Sequence, residues 1–168
     1  MMKKFIIFFF LITIFLLRNE NERVVIPNKS IRYRIVANSN NPEDQKLKWD
    51  INAELIPIIT NITNNSSDLA ISRKVIKENL NLIETKIQKY TNNYEISFGK
   101  NYFPKKEYHN ITYSEGEYES LVIKLGKGNG DNWWCVLFPP LCLIEAKKTN
   151  LDDITYTSYV KEVINKYF

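Results

Sequence analysis

The chain has 168 residues, of which 44% are hydrophobic and 25% charged, a composition typical of a folded domain and not of a disordered chain. Its net charge of +4 comes mostly from the N-terminus, because without Lys3, Lys4 and Arg18 the chain keeps 20 basic and 19 acidic side chains. These charges are interspersed, whereas a nucleic-acid-binding protein concentrates basic residues on one face, so we expect no nucleic-acid partner.

The N-terminus carries a short apolar segment behind two lysines. Lys3 and Lys4 precede thirteen uncharged residues, 5–17, of which only Thr13 is polar. This pattern is typical of a secretory signal, whereas a membrane-spanning helix needs about 20 apolar residues. No small residues follow where a signal peptide is normally cleaved. Residues 1–17 are therefore predicted to be either a signal peptide cleaved at an atypical site or a short signal anchor.

Either form of this leader predicts export of the rest of the chain. The two lysines hold the N-terminus on the cytoplasmic side, so the body lies outside the cytoplasm after passage through the export machinery. If residues 5–17 stay in place, they also contact the membrane. Residues 18–30 are charged and contain Pro27, which predicts a linker. Residues 31–168 then predict a single domain.

The first half of this domain predicts one strand and two helices. Residues 31–37 begin with alternating apolar and polar side chains, as a half-buried strand does. A first helix begins at Pro42, and Pro57 should kink or end it. A second helix follows a polar break, with Ser66 or Ser67 as its N-cap.

The second half predicts several strands and a closing helix. Residues 94–98 alternate in polarity, residues 118–125 do so in part, and residues 132–138 are apolar enough for a central strand that stops at Pro139. The pattern of residues 152–168 indicates a helix. The predicted fold class is α+β, with an N-terminal strand, two helices, a mostly antiparallel sheet and a C-terminal helix.

The segment 130–142 (GDNWWCVLFPPLC) is the strongest candidate for contact with a partner. Trp133 and Trp134 are adjacent on a predicted strand and therefore point to opposite faces, so one ring can be buried while the other is exposed. The alternative is that both rings are buried between the sheet and the helices. An exposed ring beside rigid prolines is the kind of anchor that dominates protein interfaces. The inferred partner-binding residues are Asn132, Trp133, Trp134, Phe138, Pro139 and Pro140.

Cys135 and Cys142 are the only cysteines of the chain. An even number of cysteines in an exported protein favours a disulfide. A reversal of the chain at the two prolines would bring the two Cα atoms within the distance that a disulfide requires. The alternative is a pair of buried thiols, or a straight strand that holds the two residues apart.

The sequence offers little for catalysis. The only histidine, His109, lies in a polar stretch that predicts a solvated loop, so a dyad with Cys135 is disfavoured. A zinc site needs more Cys or His ligands than the chain offers. The glycines at 126, 128 and 130 precede a strand and not a helix, so they do not predict a phosphate loop. We expect no catalytic residues, no metal and no cofactor.

Two segments resemble stage II sporulation protein R of endospore-forming bacteria: residues 31–48 (IRYRIVANSNNPEDQKLK) and residues 132–142 (NWWCVLFPPLC). The resemblance implies a protein that is made in the forespore and exported to the space between the forespore and mother-cell membranes. There the family triggers a membrane-embedded aspartic protease that matures the pro-sigma-E factor. The chain would thus be an activator of the protease and not an enzyme.

Two other functions remain open at this point. One is a cell-envelope enzyme that uses Cys135 as its nucleophile. The other is a structural protein of the cell envelope, anchored by residues 5–17. Neither depends on the resemblance.

Overall fold

The computed structural model describes residues 24–108, 111–142 and 153–168; the predicted leader and His109 lie outside them. No helix within these residues combines the length and apolar character needed to cross a bilayer. In chain order the elements are β1 (Val24–Val25), β2 (Ile31–Val36), α1 (Pro42–Asn64), α2 (Leu69–Glu78), α3 (Leu80–Ile87), β3 (Tyr94–Phe103), β4 (Lys106–Tyr108), β5 (Ile111–Tyr113), β6 (Gly116–Leu125), β7 (Asn132–Phe138) and α4 (Asp153–Tyr167). The predicted α+β fold class is confirmed.

Strand β2 lies inside the main sheet, whose strand order is β3-β6-β2-β7. It runs parallel to β6, with Tyr33 opposite Leu121, and antiparallel to β7, with Tyr33 opposite Cys135. A parallel pair needs a long connection between its strands, which the three helices and β3 supply. Strand β3 pairs antiparallel with β6. A second, small sheet has the order β1-β5-β4.

One face of the main sheet packs against α1, α2 and α3. Alternate residues of β2, namely Ile31, Tyr33 and Ile35, are fully buried in this first core. The helices contribute a stripe of buried side chains: Ile51, Leu55, Ile56, Ile59, Ile76, Ile83 and Ile87. Each such aliphatic side chain stabilises the fold by about 1.5–3 kcal/mol through its removal from water.

The opposite face of the sheet contributes to a second core. Trp134 and Val136 of β7 point to this side and pack with buried residues of β1, β5 and α4. Strand β7 was expected to be central; it stands at the end of the four-strand order, and its apolar sequence reflects cover on both faces. Val24 and Ile26 are also buried here, so residues 24–30, expected to belong to a linker, are part of the folded body.

A charged side chain lies inside the second core. Arg32 is fully buried. The carbon of its guanidinium lies 3.4 Å from the ring centroid of Tyr118, 4.9 Å from that of Trp134 and 5.0 Å from that of Phe103. Its Nη2 donates a hydrogen bond to the carbonyl oxygen of Ser114 at 3.3 Å. The faces of aromatic rings attract cations, so this cage offsets part of the cost of burying the charge.

Helix α1 does not end at Pro57 but continues to Asn64. A proline within a helix removes one backbone hydrogen bond and strains the preceding turn. Here Ile56 and Ile59, on either side of the proline, are both buried in the first core. Their burial outweighs the local cost, and the helix continues across the sheet.

The second predicted helix is divided into α2 and α3 at Asn79. The side chain of Asn79 donates to the carbonyl oxygen of Val75 at 2.8 Å, in place of a continuing backbone hydrogen bond. The N-cap of α2 is Asp68, and not Ser66 or Ser67 as expected. Its carboxylate accepts from the backbone N–H of the third helical residue, as an N-cap does.

The predicted disulfide between Cys135 and Cys142 is present, and the two Cα atoms are 5.1 Å apart. Both side chains are fully buried in the first core. The chain turns back between them, because the backbone N–H of Leu141 donates to the carbonyl oxygen of Val136 at 3.1 Å. Leu141 itself is buried in the second core, so this short loop connects the two cores.

Replacing both Cys135 and Cys142 by Ser should lower the free energy of unfolding by about 2–3 kcal/mol, because the short loop no longer constrains the unfolded chain. Urea denaturation followed by circular dichroism measures this change. The wild-type protein in reductant is the control and should lose a similar amount, whereas the double variant should not respond to reductant. Equal unfolding midpoints for oxidised and reduced wild type would contradict the prediction.

Candidate functional site

The two segments singled out in the sequence meet in the main sheet. Strands β2 and β7 pair along their lengths, from Ile31 opposite Phe138 to Val36 opposite Asn132. At the Val36 end, the loop of residues 37–41 packs against the turn of residues 126–131. We call these two stretches the junction.

Two asparagine side chains of the loop hold the backbone of the turn. The Oδ1 atom of Asn38 accepts from the backbone N–H of Lys127 at 2.9 Å. The Oδ1 atom of Asn40 accepts from the backbone N–H of Asp131 at 2.6 Å. A short amide side chain can take the place of a backbone partner in this way. The junction is therefore ordered by hydrogen bonds between residues that are far apart in the sequence.

The same loop fixes the start of α1. The carboxylate of Asp44 accepts from the hydroxyl of Ser39 at 2.6 Å and from the side-chain amide of Asn38 at 2.8 Å. These hydrogen bonds, that of Ser39 first, hold the pKa of Asp44 below its usual value. A carboxylate in the first turn also interacts favourably with the helix dipole. The orientation of α1 is thus tied to the junction.

Two glycines allow the loop and the turn to approach closely. Gly126 has a φ of +54°, and a Cβ atom there would collide with the side chain of Asn38. A Cβ atom on Gly130 would collide with the carbonyl oxygen of Ser39. Gly126 and Gly130, which did not fit a phosphate loop, therefore allow the loop and the turn to pack closely.

Trp133 and Trp49 form a partly exposed aromatic pair beside the junction, which we call the aromatic ledge. Their ring centroids are 6.3 Å apart, with an angle of 60° between the planes. Trp49 is 43% exposed, and Trp133 is half-buried. The fully buried Tyr33 lies against Trp133, with the two ring centroids 6.0 Å apart. Burial raises the pKa of the Tyr33 hydroxyl, so this support stays neutral.

The structure divides the six predicted partner-binding residues by exposure. Three reach the surface: Asn132 is exposed, and Trp133 and Pro140 are half-buried. Three are buried: Trp134 in the second core, Phe138 in the first core, and Pro139. Of the two arrangements weighed for the tryptophans, the structure has one ring buried and its neighbour reaching the surface. A role in partner contact stays a prediction for all six.

Two residues of this region were missed in the sequence, Trp49 and Lys48. Trp49 lies off the buried stripe of α1, which includes Ile51 and Leu55, and a large aromatic residue off such a stripe is a signal that could have been used. The side chain of Lys48 is only 2% exposed. Lysine is rarely buried in folded proteins, so no local pattern of the sequence indicated the burial of Lys48.

The described residues offer little to a thiol enzyme. The proposed nucleophile, Cys135, is bonded to Cys142 and is not a free thiol. His109 lies outside the described residues. Within the described ranges, no group of three or more His, Cys, Asp or Glu side chains could hold a metal ion.

Comparisons with known proteins agree with the resemblance of the two segments. The sequence profile of the family "Stage II sporulation protein R" matches residues 27–148. The chain is similar to Stage II sporulation protein R of Bacillus subtilis strain 168, with 42% identity over 134 residues. The similar region is 76% of this chain and 60% of that relative, so it spans less than two thirds of the relative's length. No solved structure matches the chain.

Replacing Gly130 by Ala should lower the free energy of unfolding by about 1–3 kcal/mol, because the added methyl group forces the junction apart. The matched control is Gly99→Ala in β3, where a Cβ atom meets nothing within 4 Å. That variant should be neutral or stabilising by about 0.4–1 kcal/mol, because alanine restricts the unfolded chain. Thermal or urea unfolding of both variants measures these changes in stability. Equal effects of the two substitutions would contradict the close approach of Gly130 to Ser39.

Proposed function

Because this chain belongs to the Stage II sporulation protein R family, we propose that it is an exported sporulation signal that activates a membrane-embedded aspartic protease. The protease lies in the mother-cell membrane and matures the pro-sigma-E factor by removing its pro-sequence. The proposed location of this chain is the space between the forespore and mother-cell membranes, either free or anchored by residues 5–17. It acts by contact and performs no catalysis itself.

The observation that carries this proposal is the aromatic ledge at the place where the two family-like segments meet. Trp49 is 43% exposed although it is among the largest apolar side chains. Exposed aromatic residues held by a rigid support are the commonest anchors of protein interfaces. Trp133 belongs to the segment predicted from sequence to contact the partner, and Asn132 beside it is exposed.

Activation by contact sets a requirement on the shape of this surface. A ligand shifts a protease toward its active state only if it binds that state more tightly, and each tenfold preference needs about 1.4 kcal/mol. A rigid surface meets this requirement better, because a flexible surface adapts to both states of the protease and loses the preference. The junction precedes Trp133 and the disulfide of Cys135 follows it, so the strand that carries the ring is held on both sides.

The test is co-expression of the exported chain with the protease and its pro-sigma substrate in a host that does not sporulate, with cleavage of the substrate as the readout. The wild-type chain should cause cleavage that is absent without it. Trp49→Ala and Trp133→Ala should each reduce cleavage at least tenfold at equal amounts of folded chain, because an anchor is worth about 2 kcal/mol or more.

The matched control for the ledge is Tyr102→Ala. Tyr102 is an aromatic residue with 57% exposure on β3, at the other edge of the main sheet. This variant should support normal cleavage. Normal cleavage with both folded Trp variants would remove the ledge from the mechanism. No cleavage with the wild-type chain, although all three proteins are present and exported, would refute the proposed activator.

A further inference from the structure

Lys48 of α1 is a buried cation that donates two hydrogen bonds. Its side chain is only 2% exposed, which is rare for lysine. The Nζ atom donates to Oε1 of Gln45 at 2.7 Å and to the backbone carbonyl oxygen of Asp131 at 3.1 Å. Burial lowers the pKa of this ammonium, and the nearby carboxylate of Asp131 counteracts the shift. The hydrogen bonds are what make burial of the charge tolerable.

The same ammonium connects both halves of the aromatic ledge. It lies 4.7 Å from the ring centroid of Trp49, a cation–π distance. The ammonium also donates a hydrogen bond to the carbonyl oxygen of Asp131, which lies two residues before Trp133, next to the start of β7. The cation–π contact therefore holds the ring of Trp49, and the hydrogen bond holds the strand that carries Trp133.

We propose that Lys48 is a positioning residue, whose ammonium sets the distance and angle between Trp49 and Trp133. An apolar side chain of the same length would fill the space without the cost of burying a charge. The ammonium therefore serves mainly to fix the relative positions of the two rings, and less to fill space. The consequence for signalling rests on the proposed function, because the protease would bind the ledge. The effect of Lys48 on the positions of the two rings is independent of that function.

The geometry of the ledge can be measured on the full chain without any partner. Two indole rings 6.3 Å apart at 60° couple their electronic transitions and give a pair of circular dichroism bands of opposite sign. Trp49→Phe and Trp133→Phe should each abolish this pair of bands, which identifies it. Lys48→Met should remove most of its amplitude, and Lys48→Arg, which keeps a cation with donors, should retain its sign and most of its amplitude.

The matched control is Lys46→Met. Lys46 is an exposed lysine two positions away that pairs with Asp50, and its loss should leave the bands unchanged. If Lys48→Met does not fold, Gln45→Met decides, with Gln45→Glu as its control. Both lose the hydrogen bonds that the Gln45 amide donates to Ser39 and Asn40, but only Gln45→Met removes an acceptor of the ammonium. It should reduce the bands in the same direction but by less.

The second readout is the dose of the exported chain in the co-expression assay, normalised to its folded amount. Lys48→Met should raise the dose for half-maximal cleavage at least tenfold and leave the maximum unchanged, because a misplaced ledge weakens binding without removing the anchors. Lys48→Arg should restore most of the wild-type dose. A loss of folded protein alone would lower the yield, but it would not change this normalised dose.

Two results would overturn the proposal: unchanged bands in a folded Lys48→Met variant, or a Lys48→Arg variant that behaves like Lys48→Met. The first would separate the ammonium from the ledge, and the second would show that side-chain shape matters and the charge does not. If the bands follow the expected pattern while even the wild-type chain causes no cleavage, the proposed function fails and the positioning role stands.

Discussion

Strand β2 must be paired on both edges and covered on both faces, and the rest of the molecule depends on that constraint. Its residues alternate between the two cores, with Tyr33 and Ile35 in the first and Arg32 in the second. A slip of one residue would exchange the two sets and move the guanidinium away from its three rings into the first core, which is mostly aliphatic. The register of β2 is therefore strongly specified, and β6 and β7 take their positions from it.

The same register builds the candidate surface. With Val36 opposite Asn132, the loop after β2 meets the turn before β7, and Gly130 allows the backbones to touch. Trp133, opposite Ile35, then lies on the face covered by α1, where Trp49 reaches it. Fold and surface thus have one cause, and a change that loosens the junction affects both stability and the ledge.

The sequence patterns correctly predicted most of the structural features that depend on residues close together in the chain. The alternation of β2 and the closing helix α4 follow from periodicity, and the bounds of β7 follow from an apolar run that stops at the prolines. The disulfide follows from cysteine count and the proline turn. Features that depend on distant partners were missed or misplaced. Strand β1 pairs with β5 across about half of the chain length. Pro57 is tolerated in α1 because residues on both sides of it are buried, and Trp49 meets Trp133 only after α1 has packed.

The adjacent residues Trp133 and Trp134 point to opposite faces, and each face contains a buried cation next to an indole ring. Arg32 lies against Trp134, whose ring is also packed by Phe103 and Tyr113, so no face of it is left for a partner. Lys48 lies against Trp49, which keeps 43% of its surface exposed. A carboxylate would satisfy either cation but would hold no ring, whereas a cation–π contact fixes one face of a ring and leaves the other free. The fold covers both faces of the Trp134 ring, which makes it a core residue. It covers only one face of the Trp49 ring, which leaves the other face available to a partner.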